Sequence, residues 1–80
     1  MRAPERTLLP LSFVPAGKEV TIREITSGER WRHRLLEMGF NRGTTVRVIS
    51  NHHGPLIVAL YENRIALSRG VAHKILVQEE

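Results

Sequence analysis

The sequence predicts a mostly β fold: a small barrel of about five short strands, one inserted α-helix at about residues 29–38, and a short C-terminal helical turn. Three observations lead there. β-Branched and apolar runs recur at short intervals between Gly, Pro and Asn punctuation. Helical periodicity is clear in one place, where Trp31, Leu35 and Met38 fall at i, i+4 and i+7. Eighty residues make one small domain, burying about 60–65% of the surface its unfolded chain exposes. Closing the sheet removes edges that a short open sheet would leave exposed.

Residues 1–7 are polar, contain Pro4 and read as a flexible lead-in, leaving 8–78 as the single domain. Thr7 to Leu11 is a short edge segment, because Pro10 lacks a ladder donor. Pro15-Ala16-Gly17-Lys18 is a turn. In the run from Glu19 to Ile25, Val20 and Ile22 alternate with Thr21 and Arg23, as in a half-buried antiparallel strand. Thr26-Ser27-Gly28-Glu29 has capping-box spacing, with Ser27 an equally good cap. The helix then stops at Gly39, where a left-handed residue is needed and glycine alone adopts it without steric penalty. With Gly39 at C′, Phe40 is C″ and Leu35 is C3, the pair that closes a Schellman cap. Gly43 permits a second sharp turn before the β-branched run Thr44 to Ile49. After a polar loop, Ser50 to Pro55, the apolar run Leu56 to Tyr61 reads as a strand buried on both faces or nearly so. Glu62-Asn63 fits a two-residue hairpin, since asparagine tolerates positive φ. Arg64 to Leu67 returns, Ser68 to Ala72 makes one helical turn, and Lys74 to Val77 closes the sheet.

Composition removes several function classes. There is no cysteine, hence no disulfide, thiolate ligand or thiol nucleophile, and the cytoplasm is the default compartment. No apolar run approaches the roughly 18 residues of a membrane span, and Leu8 to Val14 is too interrupted for a signal peptide. Aspartate is absent, the serines sit at turns or caps without an obvious His and acid partner, and no phosphate-cradling GxxxxGK[ST] run occurs. The protein reads as a non-enzyme.

The formal net charge is +4, and ten of the twelve basic residues are arginines. Arg30, Arg32 and Arg34 crowd the helix, and Arg42 and Arg47 follow. Such a surface suits nucleic acid, anionic lipid or an acidic protein patch. Single-strand binding also wants exposed aromatics, whereas Trp31, Phe40 and Tyr61 are taken up by core or cap positions, so no nucleic acid is expected. Of four histidines, His52 and His53 share a loop and would be the donors of a transition-metal site for Fe2+ or adventitious Zn2+. Adjacent side chains diverge in an extended loop, so exposed, ligand-free histidines are the blander reading.

The stretch Arg34 to Gly43 resembles the Arg-Leu-x-x-Met/Leu-Gly-Ile/Phe/Leu-x-x-Gly motif of the FeoA family, matched at Arg34, Leu35, Met38, Gly39, Phe40 and Gly43. Gly54-Pro55, Ile65-Ala66-Leu67 and the run Ala72 to Val77 resemble the family's later segments. The resemblance implies an SH3-like barrel in a small cytoplasmic component of bacterial ferrous iron uptake. It implies a partner, the FeoB membrane transporter, engaged through its cytoplasmic GTP-binding domain or as the full-length protein. Its GTPase or permease activity would be modulated, with association at the inner membrane through that partner and no direct membrane insertion. The family's first apolar segment, here Leu8, Leu9 and Leu11, would pack on the body of the domain. The residues expected to dock are Arg30, Arg34, Met38 and Arg42, with Leu35, Gly39, Phe40 and Gly43 as the structural motif beneath them. Alternatives are an iron-delivery or sensing protein using His52 and His53, a basic nucleic-acid-binding barrel, and a weak homo-oligomer. The SH3-like C-terminal domain of iron-dependent repressors is a related pattern, but a chain without preceding DNA-binding helices favours FeoA.

Overall fold

The computed structural model describes residues 7–79. The expected lead-in at 1–7 therefore lies, apart from Thr7, outside the described residues. In chain order the elements are β1 (Leu9–Pro10), a 3-10 turn (Leu11–Phe13), β2 (Glu19–Ile25), α1 (Glu29–Glu37), β3 (Thr45–Ser50), β4 (Leu56–Leu60), β5 (Asn63–Leu67), α2 (Arg69–His73) and β6 (Ile75–Glu79). The strands form one antiparallel sheet in the order β1-β6-β2-β3-β4-β5. The sixth strand beyond the five expected is the two-residue β1. Among the described residues no ladder joins β5 to β1, so both are sheet edges.

β2 is the strand around which the sheet bends. Its first part pairs with β3 through Glu19–Thr21, and it pairs with β6 as far as Ile25, with a register shift between Ile22 and Glu24. A shift of this kind increases local twist and turns the strand. Val20 and Ile22 point inward, as the alternation predicts, and join Leu11, Val46, Val48, Leu56, Val58, Ile75 and Val77 in one apolar core. No polar or charged side chain is buried among the described residues. In the first segment Leu11 is buried and Leu9 packs against the core, whereas Leu8 is exposed. In β4, Leu56, Val58 and Leu60 face the core while Ile57 and Ala59 are half-buried, so the strand has one fully buried face rather than two.

The expected helix ends one residue early, with Met38 as cap, and closes in the expected Schellman geometry. Gly39 has φ +105°. Its N–H donates to Leu36 O (3.0 Å), and the Phe40 N–H donates to Leu35 O (3.0 Å). Leu35 and Phe40 are both fully buried, which is the hydrophobic contact of that motif. Gly43, at φ +91°, completes the turn in which Thr44 N–H donates to Asn41 O (3.0 Å). Gly43 N–H also donates to Ile22 O (2.7 Å), stitching the exit from α1 onto β2.

Three local expectations are corrected. No side chain caps the start of α1: Gly28 is the N-cap, and Ser27 Oγ donates to Gly28 O. Thr26 is drawn to the end of β6 instead, its N–H (2.8 Å) and Oγ1 (3.0 Å) both donating to Lys74 O. The hairpin loop is Tyr61-Glu62, one residue early, with Leu60 opposite Asn63 and Tyr61 at φ +57°. Register follows the inward set Leu56, Val58 and Leu60, since a one-residue slip would expose all three. The apolar stripe of α1 is also not wholly core, because only Leu35 is buried while Trp31 and Met38 are 43% and 42% exposed.

Leu35→Ala should cost about 2–5 kcal/mol of unfolding free energy in a denaturant titration. Gly39→Ala should cost about 1–3 kcal/mol, since its Cβ would meet Leu60 Cδ2 at 3.1 Å as well as holding positive φ.

Candidate functional site

α1 rests on the sheet by Leu35, and its other side chains divide around that contact. At about 100° per residue, Trp31 and Met38 fall to one side of Leu35 and Arg32 and Leu36 to the other, with Arg30 about 140° away on the outward face. Each flank opens onto a groove. The first, about 250 Å³, lies between α1, the end of β5 and α2, and is lined by Trp31, Arg34, Leu35, Met38, Ala66, Leu67, Ser68 and Val71. Arg34 is its one charged residue, and its guanidinium lies 5.3 Å from the centre of the Trp31 ring. A cation in that position is attracted by the ring face. The second, about 260 Å³, lies between α1 and β2 and is lined by Ile22, Arg23, Glu24, Ile25, Arg32, Leu36, Phe40 and Arg42.

The four residues expected to form one docking patch are therefore divided. Arg34 and Met38 meet in the first groove, Arg42 lines the second, and Arg30 lines neither. Among the described residues the ion pairs are His33–Glu37 (3.2 Å) and Arg47–Glu19 (3.0 Å). The arginines of both grooves are consequently not neutralised by either pair. Sequence reasoning assigned Trp31 and Tyr61 to core or cap positions, whereas both are exposed, Tyr61 in the hairpin loop. It noted Arg32 only as part of the basic cluster and passed over Arg23, Ala66 and Val71. The signal for Trp31 was present: Arg34 sits at i+3, the spacing at which side chains on one helix face meet.

The histidines fall in separate places. His52 and His53 are exposed on the β3–β4 loop, which is held from beneath by its neighbour. Asn51 Nδ2 donates to Ser12 O (3.1 Å) and Val14 O (2.7 Å), and its Oδ1 accepts from Arg69 (2.7 Å), which also donates to His52 O (2.6 Å). His33 faces Glu37 at the i,i+4 spacing that sequence reading did not weigh. Among the described residues no three His, Asp or Glu side chains converge as a metal site. Ser12 Oγ lies 3.1 Å from His73 Nδ1, a histidine neighbour that the sequence alone did not point to. The exposed Phe13 ring stacks obliquely on His73 at 5.5 Å.

Asn51→Ala leaves two backbone carbonyls without this donor and removes one of the two acceptors of Arg69. Unfolding free energy should fall by about 1–3 kcal/mol, and amide exchange should quicken in the 3-10 turn and the histidine loop.

Comparison with known proteins agrees with this architecture. A FeoA domain model matches residues 9–79. A Methanocaldococcus jannaschii protein bearing the name Fe(2+) transport protein A is 39% identical over 72 residues, covering 90% of this chain and 88% of that protein. The crystal structure of an iron uptake regulatory protein, FeoA, matches with a TM-score of 0.86 at 29% identity, covering 92% of this chain and 100% of that one. The zinc complex of Stenotrophomonas maltophilia FeoA, a prokaryotic SH3 domain protein, matches with a TM-score of 0.77 at 25% identity, covering 89% and 88%. The fold is thus the SH3-like one that the family resemblance implied.

Proposed function

This chain belongs to the FeoA family of ferrous iron transport accessory proteins, and we propose that it docks a FeoB-type transporter and modulates its GTPase or permease activity. The observation that supports this most is the first groove. It sets an exposed tryptophan and methionine beside an arginine that no carboxylate neutralises among the described residues, in a cleft whose other lining is apolar apart from Ser68. Trp, Met and Arg are the residue types enriched at protein interfaces, and buried Trp and Arg anchors dominate binding energy. The anchors are Trp31 and Met38, with Val71 opposite, and Arg34 supplies the charge that selects an acidic partner surface. Arg42, in the second groove, and Arg30, on the outward face of α1, lie outside this groove and act mainly on encounter, as peripheral charges do.

On this reading the protein performs no bond chemistry of its own. Ser12 and His73 lie together with no carboxylate among the hydrogen-bond partners of His73 in the described residues, and the pair is exposed. No described helix is long and apolar enough to cross a membrane, and docking to the transporter's cytoplasmic GTP-binding domain would hold the protein at the inner membrane. Any Fe2+ or Zn2+ it takes up is expected at His52 and His53, whose loop lines neither groove.

Calorimetric titration into the full-length transporter, with a metal chelator present, tests the reading. Saturable binding that weakens with salt is expected. Arg34→Glu and Trp31→Ala should each lower affinity at least about tenfold, or 1.4 kcal/mol. His52→Ala with His53→Ala should leave it unchanged. Wild-type affinity in both groove variants would contradict the placement.

A further inference from the structure

The groove between α1 and α2 is continuous with a sheet edge. One side of β5 pairs with β4 from Leu67 opposite Leu56 to Asn63 opposite Leu60, and its other side is in no ladder among the described residues. Leu60 and Asn63 flank a two-residue loop, and the pair flanking such a loop is the hydrogen-bonded one. Hydrogen-bonded and non-hydrogen-bonded pairs alternate along an antiparallel ladder. Asn63, Ile65 and Leu67 therefore direct their N–H and C=O groups to β4, while those of Arg64 and Ala66 face the free edge. Both residues are exposed, and Ala66, Leu67 and Ser68 continue directly into the groove lining.

The two sheet edges are treated differently by the sequence. β1 is two residues long and contains Pro10, which together blunt an edge against pairing. β5 is five residues long, has no proline, and carries one charge, Arg64. That charge discriminates among occupants. A second copy of this chain would bring Arg64 and the net +4 of the protein against another Arg64 and another +4, and like charges across a strand pair are destabilising. An acidic strand meets Arg64 at the edge and Arg34 in the groove favourably.

We infer that β5 is the site of strand addition: an extended acidic segment of the partner pairs with the outer edge at Arg64 and Ala66, places an apolar side chain among Trp31, Met38 and Val71, and sets carboxylates against Arg34 and Arg64. This rests on the docking reading above and specifies its mode. Main-chain hydrogen bonds supply affinity in such additions, and the pocket for an alternate side chain supplies specificity.

The test is hydrogen exchange at single-amide resolution. The 15N-labelled protein is exchanged free and in complex with the full-length transporter in detergent, then quenched and read by NMR. Strand addition slows exchange of the Arg64 and Ala66 amides at least about tenfold, with no comparable change at β1. Ala66→Pro removes an outward N–H that β4 does not use, so its folded spectrum should persist while affinity falls at least about tenfold. A complex in which the Arg64 and Ala66 amides exchange as fast as in the free protein overturns strand addition and leaves side-chain docking standing. Absence of any complex with the wild-type protein overturns both.

Discussion

The junction at Gly39 is the constraint on which the rest of the molecule depends. An α-helix of nine residues has marginal stability alone, and its last carbonyls need donors. The left-handed glycine turns the chain so that Phe40 drops into the core over Leu35 while both backbone donors of the cap are used. Glycine is required on two counts, positive φ and the approach of Leu60 and Tyr61. Four residues later the Gly43 turn ties the same exit to β2 through Ile22. Helix, turn and sheet are thus fixed relative to one another by a few backbone bonds and one buried side-chain pair.

That fixation determines the surface. Because Leu35 alone anchors α1, every other helix side chain is displaced to a flank or to the outside. The flank toward β5 and α2 collects the large apolar groups and Arg34, and the flank toward β2 collects Arg23, Arg32 and Arg42. The 3-10 turn, the β3–β4 loop and α2 are ordered by a different device, the Asn51 amide, which joins them through Arg69. Both devices leave side-chain charge on the surface and, among the described residues, none in the core, as suits a small domain that presents a rigid face.

Most of the fold was legible because its signals are local. Alternation at Val20 and Ile22, the glycine stop at Gly39 and the spacing of the later strands each determine structure over a few residues. The failures came where distant contacts overrode a local preference. Thr26 has the spacing of a helix cap, yet Lys74, forty-eight positions on, takes its hydroxyl. Asn63 suits positive φ, but the inward register of β4 assigned that conformation to Tyr61. The candidate site was legible in part: Arg34 and Met38 share a groove, whereas Arg42 lies across the helix and Arg30 points away. Periodicity alone treats Trp31 as core, because it cannot show that the sheet is too narrow to cover the whole stripe.

The most direct measurement is a two-dimensional amide and indole NMR map of the protein with the transporter's soluble cytoplasmic domain added. Docking through the groove predicts shifts concentrated on the Trp31 indole, Arg34, Met38, Ala66 and Val71. Shifts confined to the loop at His52 to Pro55, with the Trp31 indole unmoved, would contradict it.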